Sequence, residues 1–230
     1  MESLWTRRDA VWVIAVMSFL QFPYASLSRT VPSIVLPPPV PVLLVALSIP
    51  ILFTAVLCVV RLRQSRATLS TLLALRSAPL KLVAFRGLVE GIVILYPILL
   101  LLMGTSAVLR YCGIDPVSQP ALEWLVDVNT TMLFKSILVV QVVLVGPVME
   151  EILYRGILVS VVRKTSSTGM TILLTSLFFA VLHGNLLVIP GLTLLGACLA
   201  YSFIRTGSLV APIVIHVVFN AFNVGILLGS

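Results

Sequence analysis

Cysteine is scarce in this chain and histidine scarcer: three cysteines (Cys58, Cys112, Cys198) and two histidines in 230 residues. An odd number of cysteines in unrelated segments, none in CxxC spacing, argues against a disulfide framework and against a structural zinc site. Charge is scarce too. Ten per cent of residues are charged and sixty per cent hydrophobic, and a mean hydropathy of +1.17 lies beyond the balance of a soluble globular domain. The formal charge of +7 comes from basic residues scattered between apolar runs, with no basic face or aromatic-interleaved patch, so nucleic acid is not an expected partner. Also missing are a GxSxG elbow, a Ser/His/Asp order, an HExxH helix, a Gly-rich phosphate loop and an acidic metal triad. Their absence disfavours covalent serine catalysis, zincin chemistry and phosphoryl transfer.

What is present is apolar sequence in long runs. The expected fold class is all-α: a polytopic membrane protein of about seven transmembrane helices, each of about 20 residues. Hydropathy places spans near 10–28, 42–60, 87–109, 131–162, 171–188, 190–204 and 209–229. Arg7 and Arg8 ahead of an apolar run mimic a signal peptide, but the run from Ala10 to Leu27 is long for one, so an uncleaved first span is expected. The stretch "RLRQSRATLSTLLALRSAPLK" mixes basic and apolar residues at helical spacing and suits the membrane surface. Two regions follow: 1–130, with N-terminal spans and this amphipathic segment, and 131–230, which carries the motifs below.

A cytosolic amino terminus puts Arg7, Arg8, Arg61, Arg63, Arg66, Arg76, Lys81, Arg86, Arg163, Lys164 and Arg205 on the inner side. Arg29 and Arg110 stay outside with Asp115, Glu123 and Asp127, which obeys the positive-inside rule for a multi-pass protein of the cell (plasma or inner) membrane. The short "NLLVIPG" stretch between the fifth and sixth spans also allows a re-entrant hairpin.

Against this background "VVLVGPVMEEILYRGILVSVV" stands out, because Glu150, Glu151 and Arg155 lie in the middle of an apolar run. Each costs about 2.5–3.5 kcal/mol at the centre of a membrane helix on insertion scales. Glu151 and Arg155 are four apart and can pair on one helix face; Glu150 is turned about 100° away and needs another partner. Both histidines also lie in apolar spans, His183 in "LFFAVLHGN" and His216 in "IVIHVVFNAF", with Asn220 one turn after His216.

Residue counts put Glu150 roughly 20 Å, His183 roughly 18 Å and His216 roughly 16 Å from the inner end of their spans at 1.5 Å per residue. Ionisable groups converging on one level mark a proton relay, an ion path or a catalytic site. A carboxylate beside a histidine can deprotonate and orient a water. Asn220 can hydrogen-bond a developing oxyanion, a contribution of about 3 kcal/mol. Amide hydrolysis suits these residues. Glu, His and His are also acceptable zinc ligands; with HExxH absent and Asn220 left without a role by a metal, the expectation is no cofactor, with zinc disfavoured.

The three motifs resemble those of the CPBP family, which includes CAAX prenyl protease 2 and bacterial Abi proteins. "EEILYR" fits EExxxR, "FAVLH" (Phe179 to His183) fits FxxxH and "HVVFN" (His216 to Asn220) fits HxxxN, in order and each in an apolar span over about 131–229. The resemblance implies an intramembrane glutamic-type endopeptidase with a water-holding cavity between the motif-bearing helices. It implies Glu150 as the base that activates water, His183 as its partner, His216 and Asn220 as oxyanion-stabilising groups, and Glu151 with Arg155 as a structural pair. The expected partners are a membrane-associated protein or peptide substrate and the lipid bilayer. Two other readings use the same residues without peptidase activity: a bacteriocin-immunity-like or scaffold protein with the polar cluster as interhelical glue, and a proton-coupled transporter. A transporter would be expected to show related halves, and no internal repeat of useful strength is present.

Overall fold

In the computed structural model of the protein the described residues are 5–17, 53–60, 79–115, 125–126 and 131–229. They are helical, with no strand among them. Five apolar helices organise the structure: α1 (Leu80–Tyr111), α2 (Met132–Val162), α3 (Thr168–Leu182), α4 (Ile189–Thr206) and α5 (Val210–Gly229). All but α3 are long and apolar enough to cross a membrane. This is a multi-pass, all-helical membrane protein. The expected spans 10–28 and 42–60 fall mostly outside the described residues, as does 61–78 of the expected surface segment; residues 7–17 and 53–60 are helical.

Each helix starts and stops for a local reason. The Thr131 hydroxyl accepts from the Phe134 N–H at the head of α2, and Ser167 does the same for Met170 at the head of α3. Pro190 opens α4, where its missing N–H costs nothing. Gly207 closes that helix in the left-handed conformation (φ 63°), its N–H bonded to the Phe203 carbonyl. The 15 residues of α3 rise about 22 Å, less than the hydrocarbon core of about 30 Å. It ends at His183, and the chain turns through Gly184 (φ 64°) into α4, so the expected span 171–188 is a short helix plus its turn.

Packing depends on small residues, because lipid gives apolar helices no reason to associate except close fit. On α1, "GLVEG" sets Gly87 and Gly91 one turn apart on the face against α5. A Cβ on Gly87 would sit 2.7 Å from the Ala211 carbonyl oxygen, and one on Gly91 would be 3.2 Å from the Ile215 Cα. Gly196 of α4 meets Ser176 of α3 in the same manner, at 3.1 Å. In that contact the α3 hydroxyls are satisfied within their own helix, Thr175 donating to the Thr171 carbonyl and Ser176 to that of Ile172. The glycines thereby fix how near α4 and α5 come to the helices around them.

The first helix of the motif region, α2, is not a regular α-helix. Two π-helical stretches, Gln141–Val145 and Ile152–Val159, flank the α-turn Gly146–Glu151. The second stretch is buried at all eight positions. Part of its cover comes from the amino-terminal helix, where Trp5, Ala10, Val13 and Met17 join one apolar cluster with Leu153, Tyr154, Ile157, Leu158 and Val161. Lys164 ties the two ends together by donating to the Trp5 carbonyl at 2.9 Å.

Candidate active site

The charges of "MEEILYR" are brought together with one histidine of α5. Arg155 Nη1 donates to Glu151 Oε1 at 2.9 Å, the expected i, i+4 pair. The same Oε1 lies 2.8 Å from His216 Nδ1, so one carboxylate oxygen holds a guanidinium and an imidazole. Arg155 Nη2 reaches across to the Gly196 carbonyl of α4 at 3.2 Å. Glu151, Arg155 and His216 are all buried. An ion this deep is tolerated only with its charge met; Arg155 and His216 both bond Glu151 Oε1, while its buried Oε2 has no hydrogen-bond partner among the described residues.

Glu150 stands apart from this pair, as its rotation around the helix requires. Its Oε2 is 3.9 Å from His216 Nε2, too long for a hydrogen bond, and no protein group donates to that buried oxygen. The Glu150 side chain keeps 30% of its exposure while that of Glu151 has none. One carboxylate is therefore consumed by structure and its sequence neighbour is partly exposed, with His216 between them, Nδ1 bonded to Glu151 and Nε2 on the side of Glu150.

His183 caps the end of α3. Its Nδ1 is 2.8 Å from the Phe179 carbonyl; a carbonyl only accepts, so Nδ1 carries the proton and a neutral ring presents Nε2 as an acceptor. Phe179 is fully buried and serves as a hub. Its ring is 4.8 Å from that of His183, 5.9 Å from that of His216 and 5.1 Å from that of Tyr154, with the Arg155 guanidinium 4.8 Å from its centre. The two histidines thus flank one aromatic ring, and no hydrogen bond or ion pair joins His183 to Glu150.

Asn220 does something the sequence did not announce: its Nδ2 donates to the Val142 carbonyl of α2 at 2.7 Å. The reason is local. In the first π-stretch the Gly146 N–H bonds back to the Gln141 carbonyl, and the next residue is Pro147, which has no N–H. The ladder leaves the Val142 carbonyl without its donor, and Asn220 supplies one from α5. The amide's second N–H is not used by this bond.

Two further features were missed. The contact between His216 and Glu151 joins residues 65 apart, which no spacing rule reveals. Glu90, on α1 between Gly87 and Gly91, accepts a 2.7 Å hydrogen bond from the buried Ser202 of α4; as a carboxylate in an apolar run it carried the same signal as Glu150. Among the described residues no group of three or more His, Cys, Asp or Glu is gathered where a metal ion could sit.

Fold and site together define a multi-pass helical membrane protein with an acid and histidine cluster inside its apolar helices. Residues 132–222, the motif-bearing part of the chain, match the family model described as "Type II CAAX prenyl endopeptidase Rce1-like". An Escherichia coli protein named "Uncharacterized 24.3 kDa protein" is 35% identical over 91 residues, 37% of this chain and 41% of the relative. The "Putative membrane peptidase YdiL" of Bacillus subtilis (strain 168) is 30% identical over 81 residues, 35% of this chain and 33% of the relative. The chain therefore spans about two-fifths or less of the length of these curated relatives. No solved structure matches it significantly.

Proposed function

We propose that this protein is an intramembrane endopeptidase that hydrolyses a peptide bond of a membrane-associated protein or peptide. One observation carries the reading. Two motifs more than sixty residues apart bring an accessible carboxylate, Glu150, to within 3.9 Å of a histidine whose other nitrogen is already held by Glu151. Glu150 takes a proton from water as the oxygen adds to the scissile carbonyl. His183 is its partner in orienting that water, and His216 with the second N–H of Asn220 stabilises the oxyanion. Glu151 and Arg155 hold the arrangement. No metal takes part.

The family's description makes a prenylated C-terminal peptide the first substrate to try. The protein sits in the cell membrane with its amino terminus cytosolic, as the distribution of Lys and Arg suggests. The test is purified protein in nanodiscs against a peptide library that includes farnesylated peptides, with and without a chelator. Cleavage that survives chelation is the expected result. Loss on chelation refutes the metal-free mechanism, and no cleavage of any peptide by folded protein favours the reading of the cluster as interhelical glue.

A further inference from the structure

The 2.8 Å contact between Glu151 and His216 is not needed for the pairing of Glu151 with Arg155, nor for an oxyanion role of His216. A carboxylate on one imidazole nitrogen does two things: it fixes the tautomer, and it stabilises the ring when the other nitrogen becomes protonated. Here the carboxylate accepts from Nδ1, so Nε2 of the neutral ring bears the lone pair. That lone pair is on the side of Glu150, 3.9 Å from Oε2. Facing the ring are Glu150 and Glu151 of α2 and the Phe179 ring of α3, and behind Glu151 lies Arg155.

We infer that Glu151 is a positioning residue for the reaction itself: by holding His216 Nδ1 it makes His216 the group that carries the proton from Glu150 to the leaving nitrogen. The inference rests on the peptidase reading above. The balance is simple. Water adds its oxygen to the carbonyl carbon and gives one proton to Glu150. As substrate binding closes the 3.9 Å gap to hydrogen-bond distance, that proton passes from Oε2 to His216 Nε2; the imidazolium formed is held by the Glu151 carboxylate, and its Nε2–H is the donor that stabilises the oxyanion. The proton then moves to the scissile nitrogen, the C–N bond breaks with its electron pair going to nitrogen, and the oxyanion collapses to the product carboxyl. Glu150 and His216 return to their starting states.

This makes a demand that a purely structural Glu151 does not. An amide nitrogen leaves only when protonated, whereas an ester oxygen leaves with far less help. Glu151→Gln keeps an acceptor for both Nδ1 and Arg155 but removes the charge. Wild type and Glu151→Gln are compared on a farnesylated peptide and on the same peptide with an ester at the scissile bond. The expected result is a fall in kcat of about 100-fold or more on the amide, within the range for a lost general acid, and a fall at least ten times smaller on the ester. Equal falls on both substrates overturn the inference, as does no fall on either. Where Glu151→Gln fails to fold, the double variant with Arg155→Met, which leaves no lone charge behind, is assayed in its place.

A second readout does not depend on turnover. In wild-type protein labelled with nitrogen-15 histidine, solid-state NMR should find His216 with its proton on Nδ1, and the Nδ1 resonance should shift in Glu151→Gln. A proton on Nε2 with bare Nδ1 overturns the inference. If wild type cuts neither substrate, the peptidase reading fails on that result, while the NMR result separately decides whether Glu151 sets the state of His216.

Discussion

Replacing Arg155 with methionine removes the cation from a buried polar cluster, and the cost can be worked out from its contacts. The guanidinium makes a charged hydrogen bond to Glu151 at 2.9 Å and a second to the Gly196 carbonyl at 3.2 Å. Hydrogen bonds to charged groups contribute about 1.5–3 kcal/mol each. Its position 4.8 Å from the Phe179 ring centre adds about 0.5–2 kcal/mol. Together these come to about 3.5–8 kcal/mol, an upper bound on the penalty of about 3–5 kcal/mol for removing one partner of a buried ion pair, most of which is the carboxylate left behind. Arg155→Met should therefore be destabilised by about 3–5 kcal/mol in a reversible denaturant titration in detergent micelles. Glu151→Gln alone should also be destabilised. The double variant, with no buried charge left, should be more stable than the sum of the two single losses predicts, by about 1–3 kcal/mol. If the losses add to within about 0.5 kcal/mol, the two side chains are not coupled and the account of Glu151 as the anchor of this cluster is wrong.

Three other perturbations follow from the geometry. Asn220→Ala orphans the Val142 carbonyl and should cost about 1–3 kcal/mol in the same titration; adding Pro147→Ala, which restores a backbone N–H to the ladder, should recover part of that loss. Gly87→Leu drives a side chain into the backbone of α5 at Ala211 and should lower stability by more than 1 kcal/mol, since overpacking typically costs about 1–3. A loss no larger than that of Gly104→Leu, whose Cβ would meet nothing within 4 Å, contradicts the α1–α5 packing. Ser202→Ala should weaken the association of α1 with α4 by about 1 kcal/mol through loss of the Glu90 hydrogen bond, and an unchanged stability counts against that contact.

Much of the site could be read from the chain because helical geometry is periodic. The pairing of Glu151 with Arg155 and the separation of Glu150 from it follow from spacing along one helix, and residue counting brought Glu150 and His216 to a common level. Spacing stops being informative where the helix is irregular or the partner is remote. Pro147 was visible as an ordinary proline in a greasy run, yet its effect on the Val142 carbonyl needs the π-turn beside it and an amide from α5. The bond between Glu151 and His216 depends on how closely α5 approaches α2. Gly87 and Gly91 bring α1 against α5, and nothing in the "GLVEG" spacing says which helix faces them. The length of α3 was overestimated because hydropathy does not register Gly184, where a positive φ turns the chain.

Whether Glu150 activates the water is decided by kcat/KM of Glu150→Gln against wild type on one cleaved peptide, at matched amounts of folded protein in nanodiscs. The expected result is a fall of about 10²–10⁴-fold with unchanged thermal stability. Cleavage within a few-fold of wild type in folded Glu150→Gln would contradict it.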